Sequence, residues 1–192
     1  ELPVTGVQTG ALPISSVTTT LLDDGGRLGS FFFAQTRERN PIDLNSDGFS
    51  ELGMLESGTF GAQVFYTPKQ NLDFTFEMHY LKESRRGGDR VTSSRPHEAI
   101  VAEAIESNRI GGGLNLNHRL NAWTDYTLYT SAALTNRDTY YGGSAPEFME
   151  DGSLVMIPDL NAYGQTRNPM LCAGGQLNHR FNLDNKIGRA HV

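Results

Sequence analysis

The strongest constraint on this chain is a period of two in its apolar residues. Residues 72–80 spell LDFTFEMHY, in which Leu72, Phe74, Phe76, Met78 and Tyr80 alternate with Asp73, Thr75, Glu77 and His79. Successive side chains of an extended strand leave opposite faces of a sheet, so this spelling predicts a strand with one apolar and one polar face. Residues 59–66 repeat the pattern with Phe60, Ala62, Val64 and Tyr66, and the intervening Thr67-Pro68-Lys69-Gln70-Asn71 has turn composition.

A second hairpin joins Ile110, Gly112, Leu114 and Leu116 through Leu120-Asn121-Ala122-Trp123 to Tyr126, Leu128, Thr130, Ala132 and Leu134. A weaker one turns at Asp23-Asp24-Gly25-Gly26 between residues 16–22 and 27–36, and a strand at 170–181 runs into a further turn at Asn182-Leu183-Asp184-Asn185. The other connections, 37–58, 83–107 and 137–168, are long, polar and rich in Gly, Pro, Asp and Arg. Short turns therefore alternate with long loops. A soluble sandwich has no reason to collect its short turns at one end, whereas outer-membrane barrels pair short periplasmic turns with long extracellular loops.

The expected fold is all-β: an antiparallel up-and-down transmembrane β-barrel segment of about seven strands, open and incomplete. An odd strand count with two free edges does not make a complete bacterial barrel. Phe74, Phe76, Met78, Leu114, Leu116, Tyr126 and Leu128 should share a lipid face, with Glu77, His79, Asn115, Asn117, Thr127 and Tyr129 on the other. Tyr66, Trp123, Tyr126 and Phe181 near the short turns, and Tyr80, Tyr140 and Tyr141 near the long loops, fit two aromatic girdles. A short repeat, LNHRLN at 116–121 and LNHRFN at 177–182, ends a strand at a short turn each time.

Composition narrows the function classes. A net charge of -6 leaves no basic stripe to displace counterions from phosphates, so no nucleic-acid partner is expected. The lone Cys172 excludes a disulfide framework within the chain. No run of about 18 apolar residues occurs, which excludes a transmembrane helix and leaves a transmembrane barrel open.

Both ends read as foreign to the protein. IGRAHV at 187–192 back-translates to the start of a common sequencing adaptor, and TGVQTGALPI at 5–14 resembles the opposite adaptor with Gly10 in place of Cys. The expected organisation is thus an adaptor-like tail over 1–15, barrel over 16–186, and a second adaptor-like tail over 187–192.

Residues 57–90 (SGTFGAQVFYTPKQNLDFTFEMHYLKESRRGGDR), PHEAIVAEAIE at 96–106, NRDTYYG at 136–142 and DLNAYG at 159–164 resemble the barrel of TonB-dependent receptors, in particular the vitamin B12 and ferric-siderophore type. The resemblance covers most of residues 16–186. It implies a 22-strand barrel of the cell outer membrane closed by an N-terminal plug, and energised uptake of a small-molecule ligand such as cobalamin or a ferric siderophore. The partners it implies are outer-membrane lipid and the TonB complex, the latter reached through a plug domain absent from this chain.

Two sites carry chemistry worth naming. Asp43, Asn45 and Asp47, followed by Gly48 and Glu51, have the oxygen spacing of the first half of a calcium loop. Met54 stands where the bidentate Glu belongs, so a solvated turn rich in Asp and Asn is the alternative. Apart from calcium at this loop, no cofactor is expected. Arg85, Arg86, Asp89 and Arg90 open the second long loop, where guanidinium groups can hold an anionic part of a ligand through paired hydrogen bonds. Glu83, Glu98, Glu103 and Glu106 offer the competing reading, salt bridges that order the loop.

No enzymatic activity is expected. His97-Glu98 begins like HExxH, but Val101 occupies the place of the second His, and no nucleophile elbow, P-loop or dinucleotide fingerprint occurs. The leading function is an outer-membrane receptor and transporter. The alternatives are a passive porin-like or adhesive barrel, and a soluble secreted β-sandwich binding module.

Overall fold

The computed structural model describes residues 14–92 and 95–181. Its strands are β1 (Ile14–Leu22), β2 (Leu28–Arg39), β3 (Phe49–Lys69), β4 (Leu72–Asp89), β5 (Ala102–Arg119), β6 (Thr124–Gly142), β7 (Ser144–Phe148), β8 (Leu154–Pro158) and β9 (Tyr163–His179). Seven of them form one antiparallel sheet in the order β1-β2-β3-β4-β5-β6-β9, and the sheet is open. β7 and β8 pair as a separate hairpin inside the connection from β6 to β9. The short turns 23–27, 70–71 and 120–123 share one rim, and the longer connections 40–48, 90–101 and 143–162 share the other.

The strands run well past the alternating stretches that announce them. β3 is 21 residues long, and its ladder with β4 reaches Phe49 opposite Asp89. The long connections therefore shrink from 37–58, 83–107 and 137–168 to the bounds above. Backbone pairing needs only N–H and C=O groups, so it continues where the side chains turn polar on both faces. The sheet also begins earlier than expected, with Ile14 opposite Arg37 and Ser15 opposite Thr36. Those two residues belong to the sheet rather than to a tail; residues 1–13, the turn at 182–185 and the segment 187–192 lie outside the described residues.

Residues directly opposite across a ladder share a face. The register sets Tyr66, Phe74, Leu116 and Leu128 side by side, with Val64, Phe76, Leu114 and Thr130 in the next row. Gln63, Glu77, Gly113 and Ser131 line up on the opposite face, as do Phe65, Thr75, Asn115 and Tyr129. Every residue assigned to a face from the alternation stands on that face. The sheet is a single layer whose extensive strand contacts are between ladder neighbours. Among the described residues nothing covers the apolar rows: Leu114 is 43% exposed, Phe76 48% and Leu128 49%. The inner sheet-on-sheet core of a sandwich is thus missing among the described residues.

Two kinds of close packing take its place. On the polar face, aromatic rings lie over glycines of the neighbouring strand: a Cβ on Gly61 would stand 2.1 Å from the Phe33 ring, and one on Gly174 2.3 Å from the Tyr129 hydroxyl. The buried cluster Ala99, Ala102 and Tyr140, with Ala104 and Ala162 against it, sits at the long-loop rim. Gly88, at φ +95°, permits this approach, since a side chain there would strike the Val101 carbonyl oxygen at 2.1 Å.

Candidate functional site

The apolar face carries a belt with a sharp upper edge. On β4 it runs from Leu72 to Tyr80, and the next row is Lys82, Asn108, Asn136 and Arg167 on four adjacent strands. Eight residue-to-residue steps of about 3.4 Å, tilted by about 40°, give a belt about 20 Å tall. That is close to the apolar height of an outer-membrane barrel, about 25 Å. Above it the same face holds Glu38, Glu56, Ser84, Glu106, Asp138 and Gln165 in one row. The strands stay paired beyond the belt.

Aromatic and His side chains mark the lower edge. Tyr66 stacks on Phe74 with ring centroids 6.4 Å apart, and His118 meets Tyr126 edge-on at 5.3 Å with Nδ1 3.0 Å from the hydroxyl. The second copy of the repeat behaves alike, since His179 sits 2.8 Å from the Thr124 hydroxyl and packs edge-on against Phe181. The upper girdle differs from expectation. Tyr80 is joined in it by Phe60, directly opposite. Tyr140 is instead buried beneath the loop cluster, and Tyr141, one residue on, belongs to the polar face.

The four residues read as an anion clamp do not converge. Arg85 and Arg86 are neighbours in an uninterrupted ladder and so leave opposite faces. Arg85 lies on the polar face with its Nε 2.7 Å from Glu83. Arg86 is buried on the other, where its guanidinium donates to the carbonyls of Gly87, Asp89 and Arg90. Asp89 accepts from the backbone N–H of Ile100 at 3.1 Å and Val101 at 2.9 Å, and Arg90 donates to the Glu98 carbonyl at 3.2 Å. Arg86, Asp89 and Arg90 thus hold the loop together, and Arg85 is paired with Glu83, so internal pairing accounts for all four.

The calcium-like loop does converge. Ligand oxygens of Asp43, Asp47 and Glu51 lie within 4.8 Å of one another. Their present partners are backbone donors: Asp43 accepts from Ser46 at 2.7 Å and Gly48 at 2.8 Å, Asp47 from Phe49 at 2.8 Å, and Glu51 from Leu44 at 2.8 Å. Asn45 donates to Asp47 at 2.9 Å. These bonds close an Asx-rich turn from within, the arrangement of the alternative reading.

The register also assembles residues that the sequence never flagged as a set. Arg37, Arg39, Arg109 and Arg137 join Arg85 on the polar face, within three successive rows just above the belt. Glu83 is the acid among them, and a hollow of about 730 Å³ lined by Arg39, Arg85, Glu51, Glu103 and Tyr141 opens above. Four separate strands supply these arginines, so only parity counted through the ladders reveals the array. With the geometry in hand, comparison with known proteins returns nothing. No protein-family profile, curated protein or solved structure matches the chain.

Proposed function

We propose that this chain is a stretch of barrel wall from a TonB-dependent receptor of the cell outer membrane, serving energised uptake of a scarce ligand such as cobalamin or a ferric siderophore. The observation that carries the reading is the exposed apolar belt, bounded above by Lys82, Asn108, Asn136 and Arg167, in a sheet whose short turns share one rim. Exposed apolar rows in a fully paired antiparallel sheet call for a lipid solvent, because water would leave that area unburied. In this reading the apolar face meets lipid, the polar face lines the lumen around a plug, and the long-loop rim faces outward to receive ligand. The plug, upstream in the parent chain, would couple release to the TonB complex.

The test is to read the coding sequence upstream of this segment in the parent gene and to assay uptake by the complete product in cells with and without a working TonB system. An upstream plug with TonB-dependent, saturable uptake supports the reading. A barrel without a plug, passing solutes without saturation, would make it a porin, and one that binds surfaces without uptake an adhesin.

A further inference from the structure

We propose that the arginine array on the polar face, Arg37, Arg39, Arg85, Arg109 and Arg137, binds a small molecule bearing several carboxylate or phosphate groups; its role in ligand capture rests on the receptor reading above. The array is a product of register. Arg37 and Arg137 lie in one row with Ser57, Glu83 and Ser107 between them, Arg109 is one row below, and Arg39 and Arg85 are one row above.

At this height the polar face carries five arginines around the single acid Glu83, whereas the apolar-side face mixes Glu38, Glu56, Glu106 and Asp138 with Lys82, Arg86 and Arg167. Among the described residues, Arg85 alone of the five is in salt-bridge contact, with Glu83. Arg39 donates to the Gly53 carbonyl at 2.9 Å, and the Arg37 Nε has no hydrogen-bond partner. Arg109 and Arg137 are exposed, leaving donors available in a fork geometry suited to planar oxyanions.

Position argues for a small ligand. The array stands above the belt and below a hollow of about 730 Å³, the size of a small-molecule site, whose charged lining is Arg39, Arg85 and Arg86 with Glu51 and Glu103. The lower polar wall offers Asp73, Glu77 and Asp125 with Arg119 opposite the last, so the five arginines are the densest group of cations on this face. The shared chemistry of carboxylate and phosphate ligands is what the arginines select, and a neutral ligand gains nothing from them.

The test uses the full chain folded in detergent micelles, with radiolabelled pyrophosphate and citrate as probes in equilibrium dialysis. Binding should be saturable and weaken with added salt. The R37Q/R109Q/R137Q variant should lose about tenfold or more in affinity, and Arg109→Gln alone should show a smaller loss if the triple variant fails to fold by circular dichroism. The K82Q/R167Q variant removes two cations at the same height from the other face and should change affinity by less than about twofold. Equal losses in both variants, or no loss in the folded array variants, would overturn the proposal. So would an acidic peptide that binds more tightly than either probe, since the occupant would then be protein. Cyanocobalamin should be indifferent to the array variants. A spin label at Leu114 separates the two readings: if it is found in water, the membrane reading falls; if it is found in detergent while the probes do not bind, the array proposal alone falls.

Discussion

Glu106 on β5 stands directly opposite Asp138 on β6, and Glu38 on β2 directly opposite Glu56 on β3, so one row above the belt holds two cross-strand pairs of like charge. Like charges in this position oppose pairing. Glu106→Gln should therefore stabilise the sheet, by about 0.2–1 kcal/mol, in urea unfolding followed by circular dichroism. The gain should shrink as salt is raised, because the pair is exposed. A loss of stability on substitution would mean that Glu106 has a favourable partner.

The belt makes a depth-dependent prediction. Leu114→Arg places a cation in the middle of the apolar face and should cost about 2–4 kcal/mol in a bilayer, falling toward zero for Asn115→Arg on the polar face. The pair of variants should be compared by unfolding from lipid vesicles. Equal effects would remove the distinction between the faces.

Phe33 over Gly61 makes a third. A methyl group added at Gly61 meets the ring at 2.1 Å, so Gly61→Ala should cost about 1–3 kcal/mol through overpacking. Gly58→Ala, where a Cβ meets nothing within 4 Å, should be neutral or slightly stabilising. Combining Gly61→Ala with Phe33→Leu should recover part of the loss in a double-mutant cycle, and strict additivity would show that the ring is not the obstacle.

The turn at 23–27 supplies a pH dependence. The Leu28 backbone N–H donates to the Asp23 carboxylate at 2.8 Å, and this bond holds its pKa below the usual carboxylate value. A depressed folded pKa means that the contribution is present above the unfolded value, 3.8, and is lost as pH falls through the folded one. Amide exchange at Leu28 should accelerate in acid below that point, and Asp23→Asn should flatten the profile.

The alternation in 72–80 and 59–66 was legible because one face of those strands is uniformly apolar, and parity then assigned every residue on both sides. Strand length was not legible. Beyond Tyr80 the side chains are polar on both faces, so nothing in Lys82–Arg86 distinguishes a paired strand from a loop. The cluster at 85–90 misled for a related reason: proximity in sequence suggests a common site, whereas adjacent strand residues part company across the sheet. Conversely, Arg37 and Arg137 come to share one row only through four strand pairings. The loop at 43–51 was readable because its chemistry is local, with every partner of Asp43 within five residues.

The length of the strands bears on how a ligand would be held. β3 and β4 remain hydrogen-bonded to Phe49 and Asp89, so the surface above the belt is a stiff collar carrying its arginines on ladder positions. Fixing a mobile loop residue costs about 1–2 kcal/mol of backbone entropy at each position, and residues already locked in a ladder incur little of it on binding. A visiting anion would therefore meet a surface arranged beforehand, fast to engage and selective by spacing.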